Sequence, residues 1–245
     1  MANRVNLVLP AETAADIQAR KPVHAVLPVG SFEQHGPHLP LVTDTVVAVA
    51  IAQELARAYS LFMLPPLTIS CSHEHHAWPA TVSISARTLA YTVDDVYDSL
   101  SRSGLASLTI VNGHGGNYIL ANLVQEGCAY GKNLALYPAK DDWKDARRSA
   151  GLTSTDHEDM HAGELETSIL LHISPELVRT GYQSADWVAG DRRHLLTAGI
   201  QKYTDSGVIG RPSLASAEKG EELLHSLTRS FASVLGLLGG HATAT

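Results

Sequence analysis

Glu33, His35, His38 and Asp44 all fall in the segment Gly30-Ser31-Phe32-Glu33-Gln34-His35-Gly36-Pro37-His38-Leu39-Pro40-Leu41-Val42-Thr43-Asp44. Carboxylates and imidazoles this close together suit a hard-to-borderline divalent ion such as Zn²⁺, Mn²⁺ or Fe²⁺. Gly36-Pro37 and Leu39-Pro40 rule out a helix interior, so the segment reads as a shaped loop after a strand. Three more segments carry residues of the same kinds: Ser72-His73-Glu74-His75-His76-Ala77-Trp78-Pro79-Ala80-Thr81, Asn112-Gly113-His114-Gly115-Gly116-Asn117, and His161-Ala162-Gly163-Glu164-Leu165-Glu166-Thr167-Ser168. A lone histidine after a strand is weak evidence for a ligand, and His114 alone would not carry the argument. Four segments supplying matching ligand types carry it further. No Gly-x-Ser-x-Gly elbow is present, so α/β-hydrolase chemistry is not expected. Thermolysin-like chemistry is not expected either.

These loops need elements to hold them. Val23 to Val29 is an apolar run that reads as a buried strand. Thr45 to Tyr59 has helical spacing, with Thr43 or Asp44 at its start. Short strands are expected at Leu61–Leu64, Thr81–Ile84, Leu108–Val111 and Leu134–Tyr137. Helices are expected over Thr88–Ser101, Tyr118–Tyr130, Glu164–His172 and Ala217–Leu238. Alternating strands and helices predict an α/β fold: one three-layer domain, residues 1–245, with a mainly parallel sheet flanked by helices and a frayed tail from 239 to 245. The loops carrying Glu33/His35 and His114 both follow strands, so they should meet at one edge of that sheet. The irregular stretch Gly181–Gly210, with Trp187, Asp191, Arg192 and Arg193, is long enough to cover a site or an interface.

Composition narrows the function. A net charge of -7 and 6% aromatic residues argue against nucleic acid as a partner. Cys71 and Cys128, the 2 cysteines, lie far apart and read as buried thiols. No signal-peptide pattern is visible, and no apolar run approaches the roughly 18–20 residues of a membrane span. The expected setting is the cytoplasm, without a membrane partner.

Taken together, the motifs Gly30-Ser31-Phe32-Glu33-Gln34-His35-Gly36-Pro37-His38, Asn112-Gly113-His114-Gly115-Gly116-Asn117 and His161-Ala162-Gly163 with Glu166-Thr167-Ser168 resemble the creatininase family of amidohydrolases. The resemblance extends from about Val26 to Gly220. It implies a creatininase-like fold and a hydrolase with two divalent ions per chain, Zn²⁺ first and Mn²⁺ or Fe²⁺ as alternatives. Glu33, His35, Asp44, His114 and Glu166 match the family's metal ligands, Asp44 bridging both ions. Such a pair of ions lowers the pKa of a shared water, giving hydroxide near neutral pH. His161 matches the histidine beside the site and is assigned proton transfer to the leaving amine, so His161 and Glu166 are the expected catalytic residues. His38 reads as a ligand, as a residue that orients one, or as a packing residue. Glu164 falls on a different helix face from Glu166 and is expected at solvent or a subunit contact. The family also implies a homo-oligomer, commonly a hexamer.

Two departures bear on substrate. True creatininases carry a glutamate where Gly116 stands and a tryptophan where His157 stands, so creatinine itself is not expected. His161–Pro175 and Gly207–Gly220 are closer to the family's peptidase branch of mycofactocin maturation, which trims a C-terminal dipeptide from a modified peptide. Ser72–Thr81 is similar too, with Trp78-Pro79-Ala80-Thr81 in place of the usual Phe-Pro-Gly-Thr, and with His73 and His76 added. The expected reaction is hydrolysis of a non-standard or cyclic C–N amide bond in a small molecule or short peptide. A metal-bound hydroxide would attack the carbonyl, and Ser72, His75, Trp78, Gly115 and His157 are the expected substrate contacts. Alternatives are a mycofactocin-type peptidase, a lactonase or esterase on the same centre, or a non-catalytic binding protein.

Overall fold

The strand β1 (His24–Val29) is buried along its whole length. Its side chains alternate between two hydrophobic clusters, Val26 on one side and Ala25, Leu27 and Val29 on the other. A strand covered on both faces reads as one continuous apolar run. The computed structural model describes residues 10–239. Within them the strands run in the order β2 (Phe62–Met63), β1, β3 (Ser107–Asn112), β4 (Leu134–Tyr137), and every pairing is parallel.

After α1 (Ala14–Arg20), the helices α2 (Thr43–Tyr59), α3 (Ala86–Arg102), α4 (Ile119–Ala129), α5 (Lys140–Ser149), α6 (Glu164–Ile173), α7 (Leu195–Ala198) and α8 (Ala217–Leu237) follow in chain order. Residues of α2, α5, α6 and α8 share the cluster that contains Val26, and those of α3 and α4 share the other. The result is the expected three-layer α/β domain. Leu223, Leu224, Leu227, Phe231 and Leu235 form the buried stripe of α8 at helical spacing. Among the described residues no helix is long and apolar enough to cross a membrane.

The connections place the site. The chain leaves β1 through α2 to reach β2 on one side, and leaves β3 through α4 to reach β4 on the other. The carboxyl ends of β1 and β3 therefore border a crevice where the two connections part. Both His-bearing loops emerge there.

Several expectations shift. Thr81–Ile84 is not a sheet strand: Val82 makes one isolated bridge to Phe32, and Ile84 N donates to the Ser70 carbonyl. This segment lies on the first site loop instead of joining the sheet. The N-cap of α2 is Val42, with no side-chain cap, and Thr43 Oγ1 donates to the Pro40 carbonyl. The helices α1 and α5 were not expected from the apolar pattern. Cys71 is buried as expected, whereas Cys128, near the end of α4, is exposed. The stretch from 181 to 210 is irregular as expected, with short helical turns and an isolated Trp187–Gly210 bridge. The expected frayed tail lies outside the described residues beyond 239.

Candidate metal centre

Asp44 is the second residue of α2, where the partial positive charge of the helix N-terminus favours a carboxylate. Ser31 Oγ, just beyond β1, donates to Asp44 Oδ2 at 2.6 Å. The β3 loop must come close to this first turn. A Cβ at Gly113 would stand 2.3 Å from the Asp44 carbonyl oxygen, so only glycine lets His114 reach its position. Glu166 lies in the first turn of α6, and its Oε2 accepts the Ala162 amide at 2.6 Å. Ala162 holds that amide in place from the left-handed region, at φ 54°.

These elements bring Glu33, His35, Asp44, His114 and Glu166 together. Asp44 Oδ1 is 3.0 Å from His35 Nε2, and Oδ2 is 3.0 Å from His114 Nδ1. His114 Nε2 lies 3.3 Å from Glu33 Oε2, and His35 Nε2 lies 4.0 Å from Glu166 Oε1. Ligand atoms cluster in two groups that share Asp44: Glu33, Asp44 and His114, and His35, Asp44 and Glu166. A third group joins Glu33, His35 and His161.

The residues fit divalent cations. Both oxygens of Glu33 are buried without a hydrogen bond, a costly state for a carboxylate unless a cation compensates it. Without that cation, burial pushes Glu33 up to about 8 against the pull of His114. Burial likewise lifts Glu166 to about 7, with His35 opposing. Burial draws the His35 and His114 imidazoles down, but Asp44 and the neighbouring glutamates outweigh it and raise them to about 9 and about 10. Burial would raise Asp44, yet His35 and His114 hold it well below the usual carboxylate range. Oxygen and imidazole donors of this kind suit Zn²⁺, Mn²⁺ or Fe²⁺.

His161 is a different kind of group. Its Nε2 faces the Gln34 carbonyl at 2.7 Å; a carbonyl only accepts, so Nε2 carries the hydrogen and Nδ1 keeps a free lone pair. That Nδ1 is 3.8 Å from Glu33 Oε1. Burial, helped by His35 and His75, holds His161 well below the ordinary histidine value, so it is neutral. Gln34 ties the loops together. Its amide donates to His75 Nδ1 at 2.8 Å and to the Gly207 carbonyl at 3.2 Å, and its Oε1 accepts the Gly36 amide at 2.9 Å.

The remaining candidates spread out. A cavity of about 1280 Å³ opens over the site and is lined by His114, Gly115, His161 and Glu166 among others. His75 is buried beneath it, with Nε2 3.1 Å from Glu33 Oε1, and burial with His35 and His114 lowers it to about 3. Ser72 is buried with its hydroxyl unpaired. Trp78 packs beside Ala189, Ile200 and Ile209. His157 is exposed, with Nε2 2.6 Å from the Gly190 carbonyl, and is not among the residues lining the cavity. His38 falls outside all three ligand groups and faces Thr167 Oγ1 at 3.3 Å.

Three features differ from what the sequence suggests. His157-Glu158-Asp159-Met160-His161 does have the His-Glu-x-x-His order of zinc proteases. Residues 156–160 are turn and coil, however, so the two histidines share no helix face and the thermolysin arrangement is absent. Glu164 is fully buried instead of facing solvent: it accepts the Ser154 amide at 2.9 Å and pairs with Lys219 at 2.5 Å. Finally, the space beside Gly116 is filled by Glu74. A Cβ there would meet Glu74 Oε1 at 2.1 Å, and that oxygen is 3.6 Å from His114 Nε2.

A family profile described as creatininase, creatinine amidohydrolase, matches residues 11–235, which include every element that builds the centre. The chain belongs to the creatininase family. A mycofactocin precursor peptide peptidase of Mycolicibacterium smegmatis is 32% identical over 238 residues, covering 91% of this chain and 88% of the relative. A solved structure named "Creatininase Mn" shares the creatininase fold at a TM-score of 0.77 and 23% identity, covering 96% of this chain and 98% of that one. Another, a mutant creatininase described as of Zn-Zn type, matches at a TM-score of 0.76 and 23% identity, covering 96% and 97%.

Proposed function

We propose that this creatininase-family protein is an amidohydrolase that would hold two divalent ions, Asp44 belonging to the ligand group of each, and that cleaves a C–N amide bond. The observation that carries the proposal is the division of Asp44, each of whose oxygens faces an imidazole of a different ligand group. Glu33, Asp44 and His114 would hold one ion, and His35, Asp44 and Glu166 the other. When bound, such a pair acidifies water and polarises a carbonyl.

The protein's own groups account for the rest. Ser31 orients Asp44, and His35 and His114 hold it as a carboxylate. Ala162 N fixes Oε2 of Glu166 and turns its Oε1 towards His35. His161, neutral and with Nδ1 free, can take a proton from the attacking water's side and return it to the leaving amine. Gly115, exposed at the cavity wall, leaves room for a substrate against His114. Zn²⁺ is the first choice of metal, with Mn²⁺ or Fe²⁺ as alternatives.

A peptide substrate is favoured over a small ring. The cavity of about 1280 Å³ exceeds the usual range for small-ligand sites, roughly 300–1,000 Å³. The relative named a mycofactocin precursor peptide peptidase supports the same reading. A homo-oligomer is part of the proposal, supported by exposed Trp187, Val188 and Leu196 on one segment. The test is a panel of short peptides, lactams and matched lactones, assayed with metal-reconstituted and with chelated protein. Metal-dependent amide cleavage is expected; cleavage of lactones only would reassign the reaction to an esterase, and equal activity after chelation would refute the proposal.

A further inference from the structure

The charged residues that α5 contributes to the cavity wall are all cations, and the metal centre does not use them. Lys140, Trp143, Lys144, Arg147 and Arg148 all line the cavity. Residues 140, 143, 144 and 147 follow the i, i+3, i+4, i+7 spacing of one helical face. The inner end of this face is fastened to the site. Arg147 is buried, donates to the carbonyls of Ser154 at 2.9 Å and Thr155 at 3.2 Å, and pairs with Asp159 at 2.9 Å. Asp159 in turn accepts the amides of Glu164 at 2.6 Å and Leu165 at 3.0 Å, so it caps the helix that presents Glu166.

The outer end is left open. Arg148 pairs with Asp145 at 2.8 Å. Lys140 and Lys144 have no acidic partner among the described residues, although they sit one turn apart where like charges repel. Asp142 is engaged with the Ala139 amide at 2.9 Å. The acids that line the cavity are Asp156, Asp159 and Glu166: Asp159 and Glu166 are committed as above, and Asp156 stands exposed in the turn beyond Thr155. Two cations on a rigid wall, with a half-buried tryptophan between them, make a receptor for an anion carried on an extended apolar chain.

We propose that Lys140 and Lys144 bind a carboxylate of the substrate while the scissile amide lies at the metal centre, so the preferred substrate is an acyl peptide with a free carboxylate. This rests on the amidohydrolase reading but makes a separate claim. It can be tested on the intact metal-loaded protein with benzoyl-glycyl-glycine and its C-terminal carboxamide, by calorimetric binding and by turnover. The wild type should bind the carboxylate at least about tenfold more tightly than the carboxamide, as expected for one charge-assisted contact or more. In the double variant Lys140→Met/Lys144→Met that ratio should fall to near one, and added salt should weaken carboxylate binding in the wild type alone. Thermal unfolding of the variant checks that it folds, and the single variants should each lose part of the preference. A wild type that binds both compounds equally, or neither, overturns the inference. Preferential carboxylate binding without any hydrolysis would leave the inference standing and count against the amidohydrolase reading.

Discussion

Asp44 Oδ1 lies 3.0 Å from His35 Nε2, while its other oxygen lies 3.0 Å from His114 Nδ1. In metal-free protein this carboxylate keeps both imidazoles charged, at about 9 and about 10, against the effect of burial. Glu33, pushed up by burial to about 8, is protonated too. A ligand atom must lose its proton to hold a metal. Metal affinity should therefore rise with pH from 6 towards 9, and loading at pH 7 should release protons. Titration of weakly buffered apo protein with Zn²⁺ would measure the release; binding that is independent of pH would contradict the assignment of these three ligands.

His161 separates catalysis from metal binding. His161→Ala should lower kcat by roughly 10²- to 10⁴-fold, the usual contribution of a positioned acid–base group. Metal content should stay close to that of the wild type, because the two groups sharing Asp44 do not include it. A comparison of steady-state rates and metal per chain decides the point. Loss of both together would make His161 a ligand.

Asp159 holds the turn before α6. Its removal leaves Arg147 buried without its ion partner and two helix amides uncapped. Asp159→Ala should destabilise the fold by about 3–5 kcal/mol, read from denaturant unfolding. A change below about 1 kcal/mol would show that the clamp is dispensable.

Ala80 occupies the left-handed region at φ 63°, where a Cβ is strained. Ala80→Gly should stabilise the protein by about 1 kcal/mol, less the greater freedom glycine gives the unfolded chain. Matched urea titrations would show it; destabilisation would mean that the Ala80 methyl contributes packing that outweighs its strain.

The ligand loops were legible because a parallel sheet gathers strand ends, so Glu33, His35 and His114 had to meet once β1 and β3 paired. The wall formed by α5 was not legible. Lys140–Ser149 offers little apolar pattern beyond Trp143 and Ala146, and its place depends on the buried Arg147–Asp159 pair. Helical spacing turns Glu164 away from Glu166, which in sequence points it to solvent or a subunit contact. The loop 153–155 and Lys219 of α8 cover that other face, and nothing local in the sequence signals them. The tying role of Gln34 has no local signature for the same reason, since its partners lie as far away as Gly207. The expectation at His157 rests on a family position alone, and the local turn brings that ring to the Gly190 carbonyl.

The most direct test of the central claim is the metal content of wild type and Asp44→Ala after reconstitution, measured by elemental analysis alongside turnover. The two ligand groups that share Asp44 predict close to two ions per chain in the wild type, and loss of both ions and of activity in the variant. An Asp44→Ala protein that keeps both ions, or turns over substrate at the wild-type rate, would contradict it.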